Sequence, residues 1–399
     1  MGENLMKDYS GHIGIIGGGI AGLTLGCALL KEDIPTVIFE KIPEETSHGA
    51  AISLSMNALR LLDRLDIYTD LKDQSFIHSA ASIQGPQKEI SSFKTPEVLT
   101  THRQTLMTLL YSKYLNLGGE IHHDYAFDSF DPVKREATFA NKEKYTFKHL
   151  AACDGIRSSI RDTFFSANQD PKYSGYSAWR GIGKSNLQKI HFALGPDSHI
   201  VSYPINKTGD VSFVAVRKED FQFKESWKEE GSITDLLDDF SLYDSKIFPV
   251  IADSMPLYKW GIYIRPPLQS MICKNITLVG DSAHPMVPFL GQGACMAIED
   301  AYSFAMASRK HVNNFADAQE AYDFVRNKRT KKIQKLSMIQ GKIYHMKNSL
   351  LVLARNAVMK YTNIPGNDLR RIHDYDAHDE MQTYLSFGDL RVINSGKGP

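Results

Sequence analysis

The chain has 399 residues, which at about 150 residues per domain predicts two or three domains with a sizeable core. With 42% hydrophobic and 23% charged residues, it has the composition of a globular protein. Its 46 basic and 46 acidic residues cancel, which argues against a nucleic-acid partner and against an anionic membrane. The most basic stretch, RNKRTKKIQK at 326–335, is interpreted as a solvated helix face.

Cysteine usage and the apolar runs narrow the class further. The cysteines are scattered and none forms C-x-x-C, so we expect free buried thiols, with neither a metal site nor a disulfide framework. The N-terminus, MGENLMKDYSGH, is polar and carries acidic residues, unlike a signal peptide. The apolar run SLLVLARNAVM is too short to span a bilayer. The sequence therefore predicts a cytoplasmic protein without a membrane span.

The predicted elements begin with a strand (IGII), a glycine turn, a helix (IAGLTLGCALLKED) and a second strand (PTVIFE). Apolar spacing predicts helices within residues 49–67 and 102–119. LAACDGIRSSIRD predicts a short strand that runs into a polar turn. Residues 172–260 alternate apolar with polar residues, as antiparallel strands with one wet face do. NITLVGDSAHP repeats the strand and turn, GACMAIEDAYSFAMAS predicts a helix, and the remainder is predicted to be mainly helical.

The first turn carries a dinucleotide-binding pattern. Gly17, Gly19 and Gly22 fit G-x-G-x-x-G, in which the glycines permit a tight turn, the approach of a pyrophosphate and close packing of helix on strand. The N-terminus of the following helix presents N–H groups and a positive dipole end to phosphate. Glu40 closes the second strand, where a carboxylate accepts a hydrogen bond from a ribose hydroxyl. This context predicts a bound dinucleotide; the alternative is a merely tight glycine turn.

Two later segments place an Asp–Gly or Gly–Asp pair after an apolar strand, and with the first they resemble the fingerprints of the single-component FAD-dependent aromatic hydroxylases, such as salicylate and p-hydroxybenzoate hydroxylase. The family motifs are D-G-x-x-S-x-x-R and G-D-x-x-H-x-x-x-P. The matching positions, with the arginine that opens the family's FAD-contacting helix, are Asp154, Gly155, Ser158, Arg161, Gly280, Asp281, His284, Pro288 and Arg103. The resemblance covers nearly the whole chain.

The resemblance implies a resident FAD, and NADH or NADPH as a transient co-substrate without a second glycine-rich motif. The residues expected at the FAD are Gly17, Gly19, Ile20, Ala21, Gly22, Glu40, Lys41, Ala51, Arg103, Asp154, Gly155, Arg161, Asp281, Pro288, Gly291, Gln292, Gly293 and Ala294. A helix starting within residues 291–295 would direct its dipole at the reduced flavin. The alternatives are that Asp281 caps a turn and that Arg161 forms a structural ion pair with Asp154. His284 has no predicted chemical role.

The substrate is expected on the β-rich segment. GPDSHIVSYPI resembles the pattern in which relatives place a histidine and a tyrosine against the ring substrate, here His199 and Tyr203. Four positions apart on a strand, both side chains lie on one face. The resemblance implies that both residues are catalytic. An imidazole with a pKa near neutrality suits the deprotonation of a phenol; a half-buried surface histidine is the alternative. Arg180 and Pro288 are candidates for substrate binding, although Arg180 equally suits a domain interface.

The resemblance implies an α/β fold. A Rossmann-like FAD-binding domain (1–75, 100–165 and 262–320) is interrupted by a β-sheet substrate domain (76–99 and 166–261) and followed by C-terminal helices (321–399). The implied activity is hydroxylation of a small phenolic or acidic aromatic by NAD(P)H and O2 through a flavin C4a-hydroperoxide, in a monomer or homodimer. The alternatives are the same flavin chemistry on a tetracycline-type antibiotic, a purine or an olefin, a non-catalytic flavin-binding protein, and an NAD-dependent dehydrogenase.

Overall fold

The computed structural model describes residues 8–43, 51–86, 88–165, 170–220, 230–243 and 256–394, with elements numbered here in chain order. One sheet is six-stranded, in the order β16-β17-β10-β1-β2-β6. Its strands are β1 (Ile13–Ile16), β2 (Thr36–Phe39), β6 (Glu120–His122), β10 (His149–Ala152), β16 (Ile272–Cys273) and β17 (Ile276–Leu278). All pairs are parallel except β16 with β17. Strands β1, β2 and β10 are buried along their whole length, as continuous apolar runs in a parallel sheet must be.

The second sheet is eight-stranded, in the order β15-β11-β14-β13-β12-β4-β5-β3. Its strands are β3 (Ala51–Ser55), β4 (Phe76–Gln84), β5 (Glu89–His102), β11 (Lys172–Lys184), β12 (Ile190–Gly195), β13 (Ser198–Pro204), β14 (Asp210–Lys218) and β15 (Tyr258–Ile264). Most pairs are antiparallel, and β12 with β4 is parallel. The predicted domain boundaries put residues 51–55 with the first sheet, whereas β3 pairs with β5 in the second.

Helices cover both sheets. They are α1 (Ile20–Lys31), α2 (Met56–Arg64), α3 (Tyr68–Asp73), α4 (Arg103–Asn116), α5 (Ser159–Phe164), α6 (Ile233–Asp239), α7 (Gly293–Lys310), α8 (Phe315–Tyr344), α9 (Ser349–Tyr361), α10 (Ile364–His373) and α11 (Ala377–Asn394). Helix α1 packs between the first sheet, α4 and α7. The C-terminal part is helical, as predicted. None of the helices described here combines the length and hydropathy that a bilayer crossing requires.

A small third sheet was not predicted from the sequence. Its strands are β7 (Phe127–Asp131), β8 (Glu136–Phe139) and β9 (Lys144–Thr146). It packs aromatic rings against the end of the first sheet, where Phe39 stacks on Phe139 with centroids 4.4 Å apart. These strands are short and partly exposed, so their apolar pattern is too weak to recognise in the sequence.

Candidate active site

The three glycines of the first turn differ in what surrounds them. A Cβ on Gly22 would lie 1.9 Å from the carbonyl oxygen of Gly17, and a Cβ on Gly17 would lie 2.4 Å from that of Cys153. Gly17 also has a φ of +107°, which favours glycine. A Cβ on Gly19, by contrast, would have no atom of the described residues within 4 Å. The turn is therefore tight on its protein side and open above the N-terminus of α1, where a pyrophosphate would bind.

The carboxyl ends of β2 and β10 frame this opening. The Glu40 carboxylate accepts hydrogen bonds from the N–H groups of Gly18 (2.6 Å) and Ile42 (2.9 Å). Asp154 follows β10, and its Oδ1 is buried without a hydrogen-bond partner among the described residues. Burial raises the pKa of Asp154 to about 6, against the lowering effects of Ser158 and of the positive charge of Lys41. Oδ1 of Asp154 can therefore accept a hydrogen bond from a bound ligand, which fits a nucleotide site.

Arg161 connects the second fingerprint to the third. Its guanidinium is 1% exposed and donates to the carbonyl oxygens of Ser282 (3.2 Å), Ala283 (2.8 Å) and Pro266 (2.8 Å). Burial lowers the pKa of Arg161 to about 10, and the acidic charge that opposes this is that of Asp162. These contacts indicate that Arg161 fixes the loop after β17, so its predicted role at the cofactor would be indirect.

The third fingerprint forms a turn after β17, and this turn packs between α1 and α7. Gly280 has a φ of +70°, and a Cβ there would lie 3.1 Å from the Cβ atoms of both Ala21 and Ala297. The 3-10 turn Gly280–Ser282 leaves Asp281 exposed at the ends of the parallel strands. Helix α7 begins within the predicted range, at Gly293, where a Cβ would again meet no described atom within 4 Å. Two uncapped helix N-termini and one exposed carboxylate thus face the same crevice, the usual ligand position in such sheets.

The remaining predicted residues of this segment hold the loop in place. Gly291, with a φ of +62°, lies against the Ser53 hydroxyl, and the buried Gln292 donates to the Ser55 hydroxyl at 2.9 Å. Pro288 is exposed, and Ala294 is half-buried in the first turn of α7. Ala51 lies opposite His102 in the β3–β5 pair, next to the start of α4. The third fingerprint is therefore anchored on the first strand of the second sheet.

His284, for which no chemical role was predicted, has a structural role. Its Nε2 makes a short hydrogen bond with Asp300, which also accepts from the N–H of Gly280 (3.1 Å) and from Arg326 (2.8 Å). Arg326 is fully buried and also bonds Glu299 at 2.6 Å. This buried ion-pair network ties the Gly280 turn to α7 and α8.

Arg103 and Arg180 line the crevice where it passes from the first sheet to the second. Much of the surface of Arg103 is accessible, yet the surrounding protein lowers its pKa, against the opposing effect of the Asp281 carboxylate. An accessible side chain whose pKa is nevertheless lowered by the surrounding protein is typical of a residue that lines a deep groove. Burial and the positive charge of Arg103 lower the pKa of Arg180 to about 10. Arg180 lies over the rings of Tyr258 (5.5 Å) and Trp260 (5.1 Å), and its charge acts on Tyr203.

A row of half-exposed side chains crosses the second sheet beside this groove. In register across the strands lie Arg180, Val214, Val201 and Phe192. Each of the four is half-buried, although the sheet around them is largely buried. Because alternate residues share a face, His199 and Tyr203 flank Val201 on the same side. We refer to this half-exposed patch, which has His199 on one side along β13 and Tyr203 on the other, as the recess.

The surroundings of His199 were not predicted. Its Nδ1 lies 2.6 Å from Nε2 of His345, at the end of α8, and its ring contacts Phe289 and Tyr344. The expectation of a pKa near neutrality is wrong, because burial and the charge of His345 hold the pKa of His199 well below 6.5. Burial lowers the pKa of His345 to about 4, against the opposing Asp197 carboxylate. The sequence gives no signal for this pair, because His199 lies on β13 and His345 follows α8, far apart in the chain.

These features fit a bound FAD, and they define a flavin-dependent oxidoreductase in which the recess of the second sheet lies beside the cofactor crevice. The open space at Gly19 and Gly293 and the unsatisfied Asp154 oxygen accommodate the pyrophosphate and polyol of a dinucleotide. Of the four cysteines predicted to be buried free thiols, Cys27, Cys153 and Cys295 are buried and free, whereas Cys273 is free but only half-buried. Asp376, His378 and Asp379 lie close together on the surface at the start of α11, and such exposed acidic groups are common without a metal.

Comparison with known proteins identifies the family. Residues 11–336 match the FAD binding domain family. The chain is 27% identical over 356 residues to 3-amino-4-hydroxybenzoate 2-monooxygenase PtnB3 of Streptomyces platensis, across 84% of this chain and 89% of that protein. It is 24% identical over 416 residues to salicylate hydroxylase of Pseudomonas putida, across 90% and 93% of the two chains.

Solved structures agree on the fold. A salicylate hydroxylase substrate complex superimposes with a TM-score of 0.79 at 21% identity, covering 94% of this chain and 98% of that one. HpxO of Klebsiella pneumoniae, complexed with FAD and uric acid, gives a TM-score of 0.81 at 19% identity, with coverage of 93% and 98%. The chain belongs to the FAD binding domain family, and it is an FAD-dependent monooxygenase of the aromatic hydroxylase group.

Proposed function

We propose that the protein uses NAD(P)H and O2 to hydroxylate a small phenolic aromatic acid bound in the recess between His199 and Tyr203. The observation that carries the proposal is the half-exposed row Arg180–Val214–Val201–Phe192, which ends in a guanidinium and is flanked by a histidine and a tyrosine. Apolar side chains suit the ring, and the polar groups at the edges suit a hydroxyl and a carboxylate. The two relatives from Streptomyces platensis and Pseudomonas putida act on an aminohydroxybenzoate and on salicylate, which supports the same substrate class.

The overall reaction places one oxygen atom of O2 on the ring and releases the other as water. NAD(P)H supplies two electrons, and one proton is taken up. When bound, FAD supplies the redox chemistry that activates the oxygen. The residues of this chain bind the ring, exclude water and move the proton of the phenol.

The proposed proton path starts at Nε2 of His199. If Nδ1–H of His199 donates to Nε2 of His345, then Nε2 of His199 is an acceptor for the phenol proton. As His199 takes that proton, its Nδ1 proton passes to His345, which lies beside the half-exposed Asp197. The pKa values of both histidines are lowered, so neither retains the proton, and the proposed path passes it on toward the half-exposed Asp197.

Arg180 and Tyr203 are proposed to bind the carboxylate. Arg180 carries a charge in a partly buried setting, next to a second positive charge on Arg103. An anion placed there relieves the repulsion between the two guanidinium groups. Tyr203 lies within the electrostatic reach of Arg180 and offers a hydroxyl donor.

A substrate panel tests the proposed activity. The FAD-loaded protein is incubated with salicylate, the hydroxybenzoate isomers, 3-amino-4-hydroxybenzoate, urate and a tetracycline. We expect at least one phenolic acid to stimulate NAD(P)H oxidation with an equivalent amount of hydroxylated product by mass spectrometry. If only urate or the tetracycline is oxygenated, the proposed phenolic-acid substrate class is wrong. If NAD(P)H never bleaches the flavin, the protein is better explained as a non-catalytic flavoprotein.

The role of His199 is tested with His199→Gln, using His191→Gln on the neighbouring strand as the control. We expect kcat for a phenolic acid to fall about 10²- to 10⁴-fold in the first variant, while FAD content is unchanged. His345→Gln should lower kcat less, without raising KM. A ring-fluorinated substrate whose hydroxyl is already ionised at the assay pH should recover most of the loss in both variants. Equal losses with both substrates would mean that the histidines are structural.

A further inference from the structure

Helix α9 presents an apolar surface to solvent. Its inward-facing positions are Val352, Arg355, Asn356 and Met359, of which Arg355 and Met359 are buried. The outward positions are Leu350, Leu351, Leu353, Ala354, Ala357, Val358 and Tyr361, together with Ser349 and Lys360. Leu350 is 74% exposed, Leu353 68% and Tyr361 77%. A contiguous exposed surface of this kind marks an interaction site in a folded protein.

The inward face of α9 is fixed to the rest of the protein, so the exposure of its outward face does not result from a detached helix. Arg355 donates to the carbonyl oxygens of Ile343 and Tyr344 at 3.1 Å. Met359 packs in a cluster with Ile83, Leu194 and Tyr344. The Asn348 side chain caps the helix by accepting from the N–H groups of Leu350 and Leu351. The apolar surface is therefore a fixed feature of the fold.

The chain around α9 is basic and contains no acid. Between Phe324 and Asn367 the sequence has ten lysines and arginines and neither aspartate nor glutamate. Lys328, Lys332, Lys335 and Lys342 are exposed at helical spacing along one face of α8. Along the chain, the loop between α8 and α9 joins this helix to the apolar helix, with the exposed Lys342 and Lys347 before α9 and Lys360 on α9 itself. Of the ten, Arg326 and Arg329 pair with the buried Glu299 and Arg355 is buried, so the exposed positive charge of this segment comes from its lysines.

We propose that the outward face of α9 docks on an anionic lipid bilayer, with the helix lying in the interface and the lysines contacting headgroups. Leucines, alanines and a tyrosine on one helix face, with lysines nearby, are the pattern of interfacial helices. Anionic headgroups complement the acid-free segment. A second copy of this chain fits less well, because it would bring the same lysines to the interface with no carboxylate in the segment to pair them. Nearby acids outside the segment are engaged, Asp197 by Lys347 and Asp368 by Arg371.

The test is co-sedimentation of the FAD-loaded full chain with vesicles of phosphatidylcholine alone and of phosphatidylcholine with about 30% phosphatidylglycerol, an anionic lipid. We expect sedimentation with the anionic vesicles, little with the neutral ones, and a reduction at high salt. The double variant Leu350→Gln/Leu353→Gln should lose about 10-fold or more in apparent vesicle affinity. Val133→Gln, which alters an exposed apolar side chain in a distant turn, is the matched control and should bind like the wild type.

Retention of FAD and an unchanged melting temperature verify that the variants are folded, and no catalytic turnover is needed for the readout. Failure of the wild type to bind anionic vesicles overturns the proposal, as does equal loss in the Val133→Gln control. A dimer in light scattering that the double variant converts to monomer, without vesicle binding by the wild type, would instead assign this face to a second copy. Because binding is scored without substrate, failure here is distinguishable from failure of the proposed function.

Discussion

The cofactor crevice and the substrate recess are built in different ways. The crevice is made chiefly of backbone: glycine turns, helix N-termini and a few carboxylates that follow parallel strands. The recess is made of side chains from β11, β12, β13, β14 and the end of α8, brought together across the sheet. A backbone site tolerates almost no change at its glycines, whereas a side-chain site can be altered without loss of the fold.

This difference predicts that mutations in the crevice impair folding and cofactor binding together. Mutations in the recess should instead lower turnover while the flavin stays bound. Residues that join the two regions should behave in an intermediate way. The buried network around Arg326 is such a junction, because it supports the Gly280 turn from α8. Variants of the crevice, the junction and the recess should therefore differ in which property they lose first.

The largest effect is expected at Gly22. In Gly22→Ala the new methyl group would lie 1.9 Å from the Gly17 carbonyl oxygen, so the turn must open. We expect loss of bound flavin absorbance and a destabilisation beyond the usual range of about 1–3 kcal/mol for overpacking. Gly19→Ala is the matched control, since its methyl group would have no described atom within 4 Å. It should keep the melting temperature of the apoprotein and weaken FAD binding alone. A stable, yellow Gly22→Ala protein would contradict the assignment of the first glycine turn to the cofactor crevice.

The second effect is expected at Arg326, whose removal leaves Glu299 and Asp300 in the core without their shared cation. Arg326→Leu should lower the free energy of unfolding by about 3–5 kcal/mol, as losing one partner of a buried ion pair does. It should also weaken FAD binding, because Asp300 accepts from the Gly280 N–H. Lys332→Leu, on the exposed side of the same helix, is the control for urea denaturation and flavin titration. Equal stability of both variants would show that the network does not support the turn.

The same network contacts the C-terminal segment IHDYDAHDEM, residues 372–381. Arg329 lies 3.9 Å from the centroid of the Tyr375 ring and donates to the Ile372 carbonyl oxygen at 3.0 Å. The Tyr375 hydroxyl lies 3.4 Å from Arg326. Tyr375 therefore covers the buried ion pairs, and the segment closes the network from outside.

The crevice was largely predictable from the sequence, because its chemistry depends on local spacing. Three glycines, a strand before them and a carboxylate after the next strand are recognisable without knowing any long-range contact. Arg161 shows the limit of this reasoning: its place in the motif suggested the cofactor or Asp154, and its guanidinium binds carbonyl oxygens of another segment. A motif identifies a residue's neighbourhood better than it identifies its partner.

The recess could be predicted only in part. Period-two alternation put His199 and Tyr203 on one face, but it could not reveal His345, which meets His199 from the end of α8. The burial that depresses the pKa of His199 arises from Phe289 and Tyr344, which follow a loop and end a helix. Such contacts depend on how separate elements pack, and no local pattern encodes them. Net charge likewise concealed the cationic segment beside α9, because it sums over the whole chain.

The smallest effect is expected at Arg180, where two interpretations of the sequence remain to be separated. Arg180→Lys keeps a positive charge but removes the planar fork that binds a carboxylate at two points. If Arg180 binds the substrate carboxylate, KM for a hydroxybenzoate should rise about 10-fold, equivalent to about 1.4 kcal/mol, with kcat and flavin content little changed.

The control for Arg180→Lys is a phenol without a carboxylate, for which KM should not change. If Arg180 instead anchors the interface through Tyr258 and Trp260, both substrates should be affected alike and the melting temperature should fall. A selective effect on the carboxylate would mean that the recess recognises its substrate by charge, whereas the crevice holds its cofactor by backbone. An equal effect would move Arg180 from the recess to the framework that joins the two sheets.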